Sequence, residues 1–143
     1  IQGCATENNR QGNTWINEDI TNAYYALHLA GYAHSVEVLA GEELIGGIYG
    51  VAIGGMFAAE SMFYRKSAAS KIALTVLLAH LRRRGFKLFD IQQMTPHMET
   101  CGAIHVDRNA FLDRLHDAVL ENVSFGHFEL NLSASPEWLR SNI

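Results

Sequence analysis

Three side chains in this sequence are placed to hold or move a proton: Asp90, Gln92 two residues later, and Glu60. Asp90 and Gln92 close the run Phe86-Lys87-Leu88-Phe89, for which a strand over 86–91 is expected. Residues two apart on a strand share a face, so this spacing would set a proton-accepting carboxylate beside an amide that both donates and accepts. The alternative is structural: a strand-end Asp and Gln that satisfy loop backbone groups. Glu60 lies among Phe57, Ala58, Ala59, Met62 and Phe63, where an unpaired carboxylate would be costly to bury. An internal salt bridge is one way to meet that cost.

The remaining reactive residue types carry less. Seven histidines are present; His34 precedes a strand and His97 follows the Asp90 segment, while His28, His80, His105, His116 and His127 read as surface or boundary residues. Cys4 and Cys101 are far apart and lack metal-ligand spacing, so no metal site or disulfide framework is expected. Net charge is -4, which argues against a broad basic surface for nucleic acid. Arg82-Arg83-Arg84 reads as a solvated helix end, with Arg65-Lys66 a second basic pair. The strings Asn122-Val123-Ser124 and Asn131-Leu132-Ser133 match glycosylation acceptors but are discounted, because no signal pattern opens the chain and a cytoplasmic protein is expected.

The elements that must position these groups follow from periodicity. Asn17 can cap a helix over 18–30, with Ile20, Ala23, Tyr24, Leu27 and Ala30 at helical spacing. Residues 35–39, 44–53 and 56–63 read as three strands of an antiparallel meander. Gly46, Gly47 and Gly50 in the middle strand suggest either a bulge or the close approach of a ligand backbone. A long buried helix over 68–84 ends at Gly85, and the strand at 86–91 must return through that helix and pair parallel. Asp107 caps a last helix to about residue 120, and the tail with Phe125, Phe128, Leu130 and Leu132 could add a strand. The order reads as one α+β domain over 1–143, a mixed, mostly antiparallel sheet flanked by helices.

Several strings in sequence order resemble a known family: Gly12-Asn13-Thr14-Trp15-Ile16, Gly31-Tyr32-Ala33-His34-Ser35-Val36-Glu37-Val38, Gly46-Gly47-Ile48-Tyr49-Gly50-Val51-Ala52, Glu60-Ser61-Met62-Phe63, Ala69-Ser70-Lys71-Ile72-Ala73-Leu74 and Asp90-Ile91-Gln92. The set resembles the leucyl/phenylalanyl-tRNA–protein transferases from residue 1 to about 115. Nothing in the chain corresponds to that family's N-terminal domain, so the family's C-terminal catalytic domain is expected. The tail after residue 120 matches poorly. Ala59, Leu39 and Thr100-Cys101 depart from the family's usual residues, which bears on pocket shape.

The resemblance implies a fold similar to the GNAT acyltransferases and an aminoacyltransferase that moves Leu or Phe from aminoacyl-tRNA to proteins with N-terminal Arg or Lys, feeding protein degradation. Aminoacyl-tRNA is then the donor substrate and no separate cofactor is needed; the partners are the 3′ end of Leu-tRNA or Phe-tRNA and the acceptor protein, with no membrane. The turn Arg65-Lys66-Ser67-Ala68-Ala69-Ser70 lacks the glycines that would cradle the pyrophosphate of acetyl-CoA. By resemblance Asp90 and Gln92 assist attack by the acceptor α-amine and Glu60 meets the basic N-terminal residue. Trp15, Ile48, Met62 and Phe89 are candidate walls of the apolar side-chain pocket, Tyr49 could stack on the terminal adenine, and His97 belongs to the site's architecture. Two other readings start from the same residues: a module that binds basic N-termini without catalysis, and an N-acyltransferase with a small thioester donor.

Overall fold

The computed structural model describes residues 1–7 and 14–130, so Gly12, Asn13 and the string Asn131-Leu132-Ser133 lie outside the described residues. After a short α1 (Gln2–Thr6), Asn17 caps α2 (Glu18–Leu29): its side-chain oxygen accepts the Ile20 N–H at 2.9 Å, and Glu18 and Asp19 in the first turn favour the helix dipole. β1 (Ala33–Ala40), β2 (Glu43–Ile53) and β3 (Met56–Tyr64) form the expected antiparallel meander. α3 (Ala69–Arg84) crosses over and β4 (Leu88–Asp90) returns parallel to β3, giving the order β1-β2-β3-β4. α4 (Pro96–Thr100) and α5 (Arg108–Val119) follow, the latter capped by Asp107. This α+β architecture is consistent with an acyltransferase-like fold. No helix among the described residues is long and apolar enough to cross a membrane.

Two clusters cover the two faces of the sheet. On one face Val36, Ile48, Ala52 and Phe57 meet Ala73, Leu74, Leu77 and Leu81 of α3. Leu77 is fully buried, and truncating such a leucine to alanine costs about 2–5 kcal/mol. On the other face Tyr49 and Phe63 meet Cys4 and Ile16, with Ile20 and Tyr24 of α2 packed at the margin.

The strand glycines serve the protein's own packing. A Cβ on Gly46 would stand 2.6 Å from that of Ala69 in α3, and one on Gly50 would run into the Ala58 carbonyl oxygen and the Phe57 ring.

The second half of the fold departs from the sequence expectation as follows. β4 is shorter than 86–91: the Phe86 N–H donates to Leu81 at the exit of α3, and pairing with β3 runs only from Leu88 to Asp90. Residues 121–130 form no strand; this segment is held through side chains, Phe125 being 5% exposed in the α3-side core and Phe128 stacked on His80. The loop expected around His97 contains α4, for which Thr95 at the N-cap and Pro96 at the first helical position are the local signals.

Candidate active site

The sheet divides at one point. Ala58 and Asp90 are the last pair of the β3–β4 ladder, yet β3 continues to Tyr64. On β3, Tyr49 pairs with Ser61 and Gly50 with Ala59, so Glu60 is the extra residue of a β-bulge. A bulge shifts the alternation by one residue and re-aims side chains. Accordingly Phe57, Ala59 and Met62 all meet the α3-side core, while Phe63 joins the opposite cluster. On the other arm, the Gln92 N–H donates to Asp90 Oδ1 at 2.8 Å, and Gln92 adopts φ 63°, which turns the chain away from the sheet. A left-handed backbone costs a non-glycine residue about 1–2 kcal/mol, and such outliers concentrate at functional sites.

This geometry corrects the expected disposition of Asp90 and Gln92. They do not share a face of one strand, because the strand ends at Asp90 and Gln92 lies in the turn beyond it. Asp90 satisfies a loop N–H with one oxygen, as the structural alternative foresaw, while Oδ2 has no hydrogen-bond partner among the described residues.

Glu60 and Asp90 nevertheless project to the same side. Phe89 stacks on Phe57 with ring centroids 6.2 Å apart in the α3-side core, so the next residues, Asp90 and its partner Ala58, point to the α2 side. Glu60 reaches that side too, where the phenol of Tyr24 on α2 lies beside it. Glu60 lies two positions beyond Ala58 on β3, which puts its backbone roughly 8 Å from that of Asp90 along the divided sheet. Tyr24 has its pKa pushed up to about 12, first by burial and then by the hydrogen bond and charge of Glu60. It therefore remains a donor at neutral pH. Its ring meets Tyr49 edge-on at 5.3 Å. Sequence reading assigned Tyr24 only to the apolar stripe of its helix; the signal it carried was a hydroxyl that needs a partner once buried.

The other candidates sort by face. Ile48, Met62 and Phe89 come together in the α3-side core, Ile48 opposite Met62 in the strand register. Ile48 is 4% exposed, so its side chain is packed in the core, and the residue also borders the cleft over β1 and β2. Trp15 is 53% exposed and is not among the residues of that cluster. Tyr49 is 6% exposed on the opposite face, edge-on to Tyr24 and bordering the cleft over β1 and β2. His97 is half-buried on α4, where its carbonyl accepts the Thr100 hydroxyl. His80 is buried, not a surface residue: Nε2–H donates to Phe125 O at 2.7 Å, and Nδ1 has no partner among the described residues.

Two clefts flank the sheet. One, about 480 Å³, lies over β1 and β2 and is lined by Tyr24, Tyr49, His28 and Glu37 among others. The second, about 660 Å³, reaches Asp90 and Gln92 and extends past Met94 and Met98 to α5. The basic pair Arg65-Lys66 lines neither: Arg65 bonds Glu7 at 2.9 Å, and Lys66 bonds Glu43 at 2.8 Å and holds that carboxyl below its usual range. The Arg65 and Lys66 N–H groups both donate to Ile45 O, so this turn does not present them to a phosphate.

A family model described as leucyl/phenylalanyl-tRNA protein transferase matches residues 1–116. The chain belongs to that family. A leucyl/phenylalanyl-tRNA–protein transferase of Shewanella frigidimarina is 49% identical over 116 residues, covering 81% of this chain and 49% of the relative. One from Shewanella sp. (strain W3-18-1) is 52% identical over 115 residues, 80% of this chain and 49% of its own length. That of Chlorobium limicola is 46% identical over 125 residues, 87% of this chain and 64% of the relative. The chain thus spans about half the length of the Shewanella transferases it matches. Tyr24, Glu60, Asp90 and Gln92 all fall inside the part matched by the transferase family.

Proposed function

We propose that this chain carries the catalytic site of an aminoacyltransferase that moves Leu or Phe from aminoacyl-tRNA to the α-amine of proteins beginning with Arg or Lys, in the cytoplasm, marking them for degradation. The observation that carries the reading is the placement of Glu60 and Asp90 on one side of the divided sheet, in a chain of this family.

The donor is an ester, already activated, so neither cofactor nor covalent nucleophile is required; positioning does most of the work. An α-amine titrates near 7.7–8.0, leaving a useful neutral fraction at physiological pH. Glu60, braced by the Tyr24 hydroxyl, offers its charge to the guanidinium or ammonium of the acceptor's first residue. The neutral amine attacks the ester carbonyl to form a tetrahedral intermediate, and its proton passes to Asp90 Oδ2. Collapse breaks the ester C–O bond, and the proton goes to the departing ribose oxygen. The amide of Gln92, exposed beside Asp90, orients the amine.

The test offers labelled Leu or Phe on tRNA to peptides starting with Arg, Lys, acetyl-Arg or Glu. Label on the Arg and Lys peptides alone is expected. Equal label on the Glu peptide overturns the acceptor assignment, and no label on any peptide by the folded protein overturns the transferase reading.

A further inference from the structure

The cleft beside Asp90 has a charge pattern that the overall composition conceals. In a chain of net charge -4, its rim carries Lys87, Arg108 and Arg114, and Asp90 is the single carboxylate among its described lining residues. Among the described residues none of the three cations has an ion pair, whereas Arg65 and Lys66 are each tied to a glutamate. Arg108, Phe111 and Arg114 recur at three-residue spacing along α5, and all three line the cleft. A half-buried ring between two unpaired guanidinium groups is the combination that single-stranded nucleic acid uses: cations track the backbone and an aromatic face takes an unstacked base.

We propose that Lys87, Arg108 and Arg114 form a phosphate-binding rim that lays a single-stranded RNA 3′ end along α5, with its terminus at Asp90. The identity of that RNA as the aminoacyl donor rests on the transferase reading; the binding of single-stranded RNA does not. The rim delivers the ester-bearing end to the acid while the acceptor amine is held on the Glu60 side. The three cations form no run in the sequence, being 21 and 6 positions apart, and only the packing of α5 beside β4 brings them to one cleft.

The test is fluorescence anisotropy of the full chain with a short single-stranded RNA ending in CCA. Three phosphate contacts predict an affinity loss of roughly 20-fold between 50 and 200 mM salt, and the double variant Arg108→Gln, Arg114→Gln, left with one contact, a loss of only about 3-fold. A control of equal charge change, Arg82→Gln with Arg83→Gln, is expected to bind within about twofold of wild type. Wild type that binds no RNA at low salt, a double variant that binds like wild type, a control that weakens equally, or polyglutamate that competes as well as RNA each overturns the proposal. Transfer that persists with unchanged RNA binding in the double variant sinks this inference alone. RNA binding lost in the double variant, with no transfer by wild type, sinks the transferase reading alone.

Discussion

The phenol of Tyr24 on α2 lies beside Glu60, the extra residue of the bulge in β3. The contact joins the helix on one face of the sheet to the point where the sheet divides. The bulge aims that carboxylate differently from an unbulged strand.

That proximity has a titration signature. Tyr24 is held near 12 by burial together with Glu60, so Glu60→Gln removes the charge and lowers the value toward, but not to, the ordinary 10.0. Ultraviolet titration of wild type and variant, each against its Tyr24→Phe counterpart to isolate this phenol, reads the shift. An unchanged value in Glu60→Gln contradicts the contact. The same variant should lose roughly 10- to 100-fold in kcat/KM for an Arg peptide, the worth of one charged hydrogen bond.

Gln92 separates strain from function. At φ 63° glycine is easier than alanine, so Gln92→Gly should be more stable than Gln92→Ala by about 1 kcal/mol in urea unfolding, while both lose transfer activity to the same extent. Equal stability would show that the turn relaxes, and full activity in both would remove the amide from the mechanism.

Gly50 tests the packing behind the bulge. A Cβ there meets the Ala58 carbonyl and the Phe57 ring, so Gly50→Ala should cost roughly 1–3 kcal/mol and, by moving Ala58, disturb its pairing with Asp90. Denaturant melts showing no loss would contradict the close approach.

Much of this fold was legible because periodicity and punctuation agree: Asn17 as a cap, Gly85 as a stop and the alternating run at 35–39 all report local physics. The site was legible in part. Asp90, Gln92 and Glu60 stood out as residue types, but their relative placement depends on a bulge and on a left-handed turn, neither of which alternation can reveal. Tyr24 and His80 were hidden for a related reason, since each carries a polar atom inside an apolar stripe and only packing shows what that atom meets.

His80 and His34 give the stability a pH dependence. Burial lowers the pKa of both below 6.5; for His80 the neighbouring Arg83 and Arg84 add to this. The unfolded chain therefore binds more protons as pH falls through 6.5, so the stabilising contribution is whole above 6.5 and is lost as pH drops through the lower folded values. Urea unfolding at stepped pH should show that decline, with a shallower slope in His80→Phe. Stability that rises on acidification over this window would contradict the buried neutral imidazoles.

The central claim is tested most directly by transfer of labelled Leu from charged tRNA to an Arg-initiated peptide, comparing wild type with Asp90→Ala. Transfer by wild type is expected, with a fall of roughly 100-fold or more in kcat for the variant and the KM for peptide little changed, because Asp90 takes a proton only as the amine attacks. Wild-type turnover in Asp90→Ala would contradict it.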